Sequence, residues 1–422
     1  MTPRAERAVA ARNLNAILGK KRTIDWALAR RAQSSLSKEL TYGVLRHYFS
    51  LCDQVDDALS KSFRKQDLDL YGLLLVGAYQ LGRTRIPAHA AIYETVEAAH
   101  ELRKPWAKGV VNAVLRKLSE RPISPSEHSF EHPEWLNSKL RDQYAEAEAL
   151  MDANNRRAPM CLRVNTRRTT PRDYQALLER ADIGYRKSWL PESLVLETPR
   201  PTDELPGFAE GLVAVQDIGA QLAIQPLAAR LEPGQRVLDA CAAPGGKLFH
   251  LLEAHDGLNV VAIDRATDRV QDLQRIAARL GHRNFTIQVA DATQLSWWDA
   301  IGFDHVLVDV PCSGSGTLRR HPDIKVTRRW TEVESQLELQ GRLLGNLWLT
   351  LCGGGTLLYC TCSILAEEND GIVGAFVETQ ADARVIDVKL PTGQATRFGW
   401  QLLPTERTTD GFYFALLQKD EK

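Results

Sequence analysis

From about Val213 onward the chain repeats one pattern: a short apolar strand candidate, an amphipathic helix candidate, then another strand. The strands read RVLDA, NVVAID, FTIQVAD, DHVLVDV and GTLLYCTC. Stretches such as KLFHLLEA, ATDRVQDLQRIAARL and ESQLELQGRLLGNLWLTL separate most of them. Continuously apolar strands need cover on both faces, and intervening helices supply it. The pattern predicts an α/β Rossmann-like domain with a mainly parallel, doubly wound sheet, to which GFYFALLQK adds a last strand.

The preceding residues read differently. In AVAARNLNAIL, LLLVGAYQLGRT, AIYETVEAAHEL and GVVNAVLRKL the apolar residues recur at helical spacing, which predicts an all-α domain. RPISPSEHSFEHPEW, rich in Pro, Ser and His, reads as a linker. Beyond it, CLRVN and SLVLE read as strands and TPRDYQALLERA as a helix with a Thr-Pro start, so a small α+β module is expected. The expected bounds are 1–125 for the helical domain, 126–206 for linker and module, and 207–422 for the α/β domain.

Charge narrows the partners only locally. The 53 basic and 53 acidic side chains cancel, so any phosphate-binding surface must be a patch. Residues 1–50 carry ten Lys or Arg against Glu6, Asp25 and Glu39. A second cluster runs from Arg156 and Arg157 through Arg163, Arg167, Arg168 and Arg172 to Lys187, and a third comprises Arg319, Arg320, Arg328 and Arg329. Either a solvated surface or contacts to RNA phosphates explains them. The seven cysteines, an odd number, do not suit a disulfide framework. No apolar run of about 18 residues is present, and the start lacks the apolar core of a signal peptide. A cytoplasmic monomer with reduced thiols, and no membrane contact, is the expectation.

The first α/β strand runs into Asp239-Ala240-Cys241-Ala242-Ala243-Pro244-Gly245-Gly246-Lys247. Small residues and a glycine pair at a strand-to-helix turn let a ligand approach the backbone. The turn is neither GxGxxG nor a phosphate-binding P-loop, because Leu248 follows Lys247, so a nucleoside without pyrophosphate is expected. The second strand ends at Asp264, placed to accept from ribose hydroxyls, and the third at Asp291, placed to hold an adenine amino group. Three acid-ended strands beside a glycine turn fit S-adenosylmethionine, whose sulfonium is cationic.

The fourth strand ends in Asp309-Val310-Pro311-Cys312-Ser313-Gly314-Ser315-Gly316 and the fifth in Tyr359-Cys360-Thr361-Cys362-Ser363. Both motifs fall on the carboxyl edge, where such sheets bind ligands. Cysteines beside a methyl donor suit cytosine carbon 5, a poor nucleophile until a thiolate adds to carbon 6. Charge developing at N3 then needs a donor, a role open to a protonated Asp309. The chemistry needs one attacking thiol and leaves room for a second in release. Position alone does not distinguish Cys312 from Cys362. Cys52, Cys161 and Cys352 read as small buried hydrophobes, and Cys360 should face away from Cys362 along the strand. No metal site is expected, since no CxxC pair exists.

DACAAPGGK, VDVPCSGSG and YCTCS, with the lead-in FAEGLVAVQDIGAQL, resemble the Nol1/Nop2/Sun family of RNA 5-methylcytosine methyltransferases over roughly residues 150–420. That resemblance implies Cys362 as nucleophile, Cys312 in product release and Asp309 at the target base. It also implies cofactor contacts from Cys241, Ala242, Ala243, Pro244, Gly245, Gly246 and Lys247 to Asp264, Asp291 and Asp309. Val310 departs from the family's usual alanine. The stretch IPAHAAIYETVEAAHELRKPWAKGVVNAVLRKL resembles the helical RNA-binding domain of the antitermination factor NusB. The fusion, strengthened by LRRHPDIK, implies 16S rRNA as substrate. The rival readings are methylation of another RNA such as tRNA, a catalytically reduced assembly factor, and a small-molecule methyltransferase. Both cysteines and Asp309 are in place, which favours catalysis, and the extra domain and basic clusters favour RNA.

Overall fold

Helical periodicity in the first 120 residues becomes a bundle in the computed structural model, which describes residues 2–61, 63, 65–120, 131–404 and 409–421. The chain divides into two units, residues 1–156 with 318–329, and residues 157–317 with 330–422. Most of the expected linker, residues 121–130 with the boundary at 125, lies outside the described residues.

In the first unit the four stretches read as helices correspond to Pro3–Leu14, Leu68–Arg83, Ala88–Glu101 and Lys108–Ser119. Leu14, Leu73, Leu74, Val111 and Leu115 meet in its core. Periodicity did not reveal Ser35–Arg46 or Tyr48–Ala58, although Ser34 and Ser37 form a reciprocal cap at the start of the former. Glu134–Gln143 and Ala147–Asn155 group with this unit and not with the small module.

The same unit takes in Leu318–Arg329, the run that follows the Cys312 loop. Asp323 accepts from the backbone N–H of Ile24 at 3.0 Å. The fully buried Lys325 donates to Arg46 O at 2.7 Å and to Asn155 Oδ1 at 2.6 Å. Two arginines counted as surface charge, Arg7 and Arg319, are buried here, so neither cluster is wholly available to a polyanion.

In the second unit a four-stranded antiparallel sheet has the order β2-β3-β1-β4, from β1 (Met160–Val164), β2 (Tyr185–Lys187), β3 (Ser193–Leu196) and β4 (Val213–Val215). Its last strand lies beyond Pro206, in the lead-in to the α/β fold. Helix Pro171–Arg180 accompanies it, with Thr170 accepting from the Asp173 N–H. Arg163, assigned by sequence to a basic cluster, is instead buried in a bidentate pair with Glu253 at 2.7 and 2.9 Å.

The large sheet contains β5 (Arg236–Ala240), β6 (Asn259–Asp264), β7 (Phe285–Val289), β8 (Phe303–Asp309), β9 (Leu351–Thr361), β10 (Ala383–Ile386), β11 (Gln394–Ala395), β12 (Trp400–Leu402) and β13 (Phe412–Lys419). Its order is β11-β12-β13-β9-β8-β5-β6-β7, with β10 also on β13. From β7 to β9 all pairs are parallel, whereas β13 runs antiparallel to β9. The chain winds outward from β5 to β7 and then returns to β8 on the other side of β5. The order therefore reverses between β5 and β8, where such sheets open a ligand crevice.

Burial pushes the Lys325 ammonium down to about 7, against an attraction from Glu131. An unfolded lysine titrates near ~10.4, so between those two pH values the unfolded chain binds the extra proton. Stability from this group therefore rises with pH across that window. The thermal midpoint of the protein should climb from pH 7 to pH 9.5, and Lys325→Met should flatten the climb. Equal slopes for both proteins in a calorimetric series would contradict this.

Candidate active site

The residues expected at the reactive edge come from the ends of β5 to β9 and the segments that follow them. After β5, Cys241 has a left-handed backbone (φ 62°) and Gly245 a φ of 101°. A Cβ on Gly245 would sit 2.2 Å from the Phe249 ring, so glycine is required by backbone and space alike. Helix Gly246–Ala254 starts there, and Arg163 holds its first carbonyl, Gly246 O, at 2.7 Å.

Asp264, at the end of β6, is buried and fixes the turn by accepting from Ala243 N at 3.2 Å and Ala266 N at 3.1 Å. Asp291 lies just past β7, and Thr293 donates to it from backbone and hydroxyl at 2.9 and 2.8 Å. Those two bonds hold Asp291 below the usual carboxylate range. Cys241, Asp264, Asp291, Thr293 and Pro311 line one cleft together with Arg269, which the sequence analysis did not single out.

The donors and acceptors fit a cationic nucleoside. Asp239 is buried with Oδ2 unpartnered, and burial followed by repulsion from Asp309 lifts it well above the usual carboxylate range. A ligand with a positive charge would relieve both effects. Cys241 is pushed up to about 12 by burial and the neighbouring carboxylates Asp264, Asp309 and Asp239, which makes it a wall of the cleft and not a nucleophile.

The two reactive loops leave adjacent parallel strands. In the β8–β9 ladder Asp309 stands opposite Cys360, and Val310 N donates to Cys360 O at 3.0 Å. Cys312 Sγ and Cys362 Sγ end 3.3 Å apart in hydrogen-bond contact. Both are reduced, and Cys360 is fully buried in the core.

Lys247, expected only as a cofactor contact, pairs with Asp309 Oδ2 at 2.5 Å. Burial opposes its charge, but Asp309, with contributions from Cys360 and Cys362, keeps the ammonium well above the ordinary lysine range. In that pair Asp309 accepts a proton bond. Lys247 is the donor in that pair.

Glu368 was not among the residues expected at the site. It is fully buried and accepts from groups on both cysteine loops. The only trace in the sequence is the polar run EEND after CSILA, at the start of helix Asp370–Thr379.

Sheet order and cleft define the class, a Rossmann-like methyltransferase fold with a paired-cysteine edge. Residues 226–418 match the family model described as 16S rRNA methyltransferase RsmB/F. Residues 132–203 match the ferredoxin-like domain of that group, and residues 4–120 the NusB family. A Pseudomonas putida protein named ribosomal RNA small subunit methyltransferase B is 43% identical, over 98% of each chain. The protein of that name from Pseudomonas syringae is 41% identical, over 98% of this chain and 96% of its own. The crystal structure of NSun6 from Pyrococcus horikoshii with SFG, an S-adenosylmethionine analogue, covers 69% of this chain and 99% of its own. Its TM-score of 0.62 at 19% identity shows a shared fold. This chain belongs to the RsmB/F family of rRNA methyltransferases.

Asp264 both lines the cleft and holds the turn. Asp264→Ala should weaken S-adenosylmethionine binding by about tenfold to a hundredfold, the range expected for charged hydrogen bonds of roughly 1.5–3 kcal/mol. Unchanged affinity by titration calorimetry would remove Asp264 from the cofactor site.

Proposed function

We propose that the protein methylates carbon 5 of a cytosine in 16S rRNA, with S-adenosylmethionine as donor and Cys362 as the attacking nucleophile. The observation that carries this reading is the pair of reduced sulfurs 3.3 Å apart beside the Lys247–Asp309 pair. The names of the relatives support rRNA, and the sulfur pair supports carbon 5 of a pyrimidine, because methylation of a nitrogen or hydroxyl needs no thiol.

Asp239, Asp264, Asp291 and the turn from Cys241 to Gly246 would hold S-adenosylmethionine, which supplies an electrophilic methyl group when bound. Asp309 accepts from the exocyclic amino group of the cytosine. The Cys362 thiolate gives its electron pair to carbon 6, the carbon 5–carbon 6 double bond opens, and Lys247 offers a proton to the charge arriving on the ring. Carbon 5 is then nucleophilic. After methylation its proton leaves to water, the double bond re-forms, and the sulfur–carbon pair returns to Cys362 as thiolate. Cys312, in hydrogen-bond contact, stabilises the departing sulfur. One proton is released per methyl transferred.

Cys362→Ala should retain S-adenosylmethionine binding and lose turnover by at least about a thousandfold, as expected when a covalent nucleophile is removed. Cys312→Ala should accumulate a protein–RNA adduct that survives denaturing electrophoresis. Turnover by the first variant, or absence of adduct with the second, would remove the respective role. Bisulfite sequencing of 16S rRNA methylated by the protein then locates the cytosine.

A further inference from the structure

Among the described residues Glu368 is one of the few fully buried carboxylates, and its hydrogen-bond set among them holds no cationic partner. Burying such a group is costly unless each oxygen is satisfied. Here Oε1 accepts from Ser313 N at 2.7 Å and from Gln340 Nε2 at 3.1 Å. Oε2 accepts from the hydroxyls of Ser313 and Ser363, both at 2.5 Å. Ser313 follows Cys312 and Ser363 follows Cys362, so one carboxylate grips the neighbour of each sulfur.

The surrounding bonds stiffen that grip. Gln340 also donates to Pro311 O at 2.9 Å, and Tyr359 donates to Glu368 O at 2.8 Å. Ser315 Oγ meets Ser363 Oγ at 2.9 Å and accepts from Ile364 N at 3.0 Å. Gly316 N donates to Cys362 O at 3.0 Å, a further link between the loops.

Charge around the sulfurs is asymmetric. The Lys247 ammonium interacts with Cys362, whereas the Glu368 carboxylate acts on Cys312. The contact with Cys362 and burial raise the Cys312 thiol well above its ordinary range, and Glu368 adds to the rise. A proton shared between two sulfurs stays on the one facing the anion.

We propose that Glu368 is a positioning residue that clamps both cysteine loops and orients the hydrogen bond between the sulfurs, Cys312 donating and Cys362 accepting. Cys362 is thereby left with the attacking electron pair, and Cys312 as the thiol that donates a hydrogen bond to that sulfur as its bond to carbon 6 breaks. The choice of nucleophile then follows from the placement of one carboxylate and one ammonium. The inference rests on the cysteine chemistry proposed above.

The test compares Glu368→Gln, which keeps the shape and removes the charge, with Glu368→Asp, which keeps the charge and shortens the reach. Full-length proteins are assayed with S-adenosylmethionine and transcribed 16S rRNA. Glu368→Gln should bind S-adenosylmethionine within about twofold of wild type, lose turnover by about tenfold or more, and hold more RNA covalently at steady state. Its alkaline loss of activity should begin at lower pH, because the Cys312 proton is less firmly held. Glu368→Asp should be slower but keep the wild-type pH profile. A Glu368→Gln enzyme with wild-type turnover and pH profile overturns the proposal. So does one that loses cofactor binding and turnover together with an unshifted profile, since that is a purely structural role. Wild-type methylation and the Cys362→Ala control test the cytosine reading separately, so failure of one is not mistaken for failure of the other.

Discussion

The parallel ladder between β8 and β9 sets the distance between the Cys312 and Cys362 sulfurs, on which the proposed chemistry depends. Asp309 stands opposite Cys360, so the chain reaches Cys312 three residues later on one strand and Cys362 two residues later on the other. A shift of one residue in that register would turn alternate side chains to the opposite face and part the sulfurs. The ladder is buried on both sides by helices, and Val306, Leu307, Leu357 and Leu358 fill it without exposure. Its register is therefore as firm as the core itself.

Around that pair the charges are arranged by strand ends. Lys247 comes from the start of the helix after β5 and Asp309 from the end of β8, the two strands flanking the reversal of sheet order. The turn that leads into Lys247 carries the glycine that no other residue replaces without meeting Phe249. Lys247 and the glycine turn are thus one piece of backbone, which the ion pair joins to the end of β8. Arg163, buried against Glu253 and reaching Gly246 O, ties the same piece to the small sheet.

Much of this was legible in the sequence because it depends on local pattern. Apolar strands, acid ends and the glycine turn state their places directly, and the cysteines fall on the right edge by topology alone. What sequence did not reveal depends on residues distant along the chain. The Lys247–Asp309 pair spans two turns, and the Glu368 clamp joins the Cys312 loop, the Cys362 loop and Gln340. Arg163 looked like surface charge because nothing in its own segment announces the Glu253 partner. Arg319, Arg320, Arg328 and Arg329 read as a basic cluster, yet Asp323 and Lys325 between them are buried within the helical unit. Periodicity reports which face of an element is apolar, and it carries no information on which buried polar groups will satisfy one another.

The division of labour between two otherwise equivalent cysteines is the central claim. It is tested most directly with the wild-type protein, S-adenosylmethionine and transcribed 16S rRNA carrying 5-fluorocytidine in place of cytidine. Fluorine at carbon 5 cannot leave as the proton does, so the adduct persists after methylation. Proteolysis and tandem mass spectrometry should then find the modified nucleotide on the peptide containing Cys362. A nucleotide on Cys312, or no adduct on either cysteine, would contradict the account.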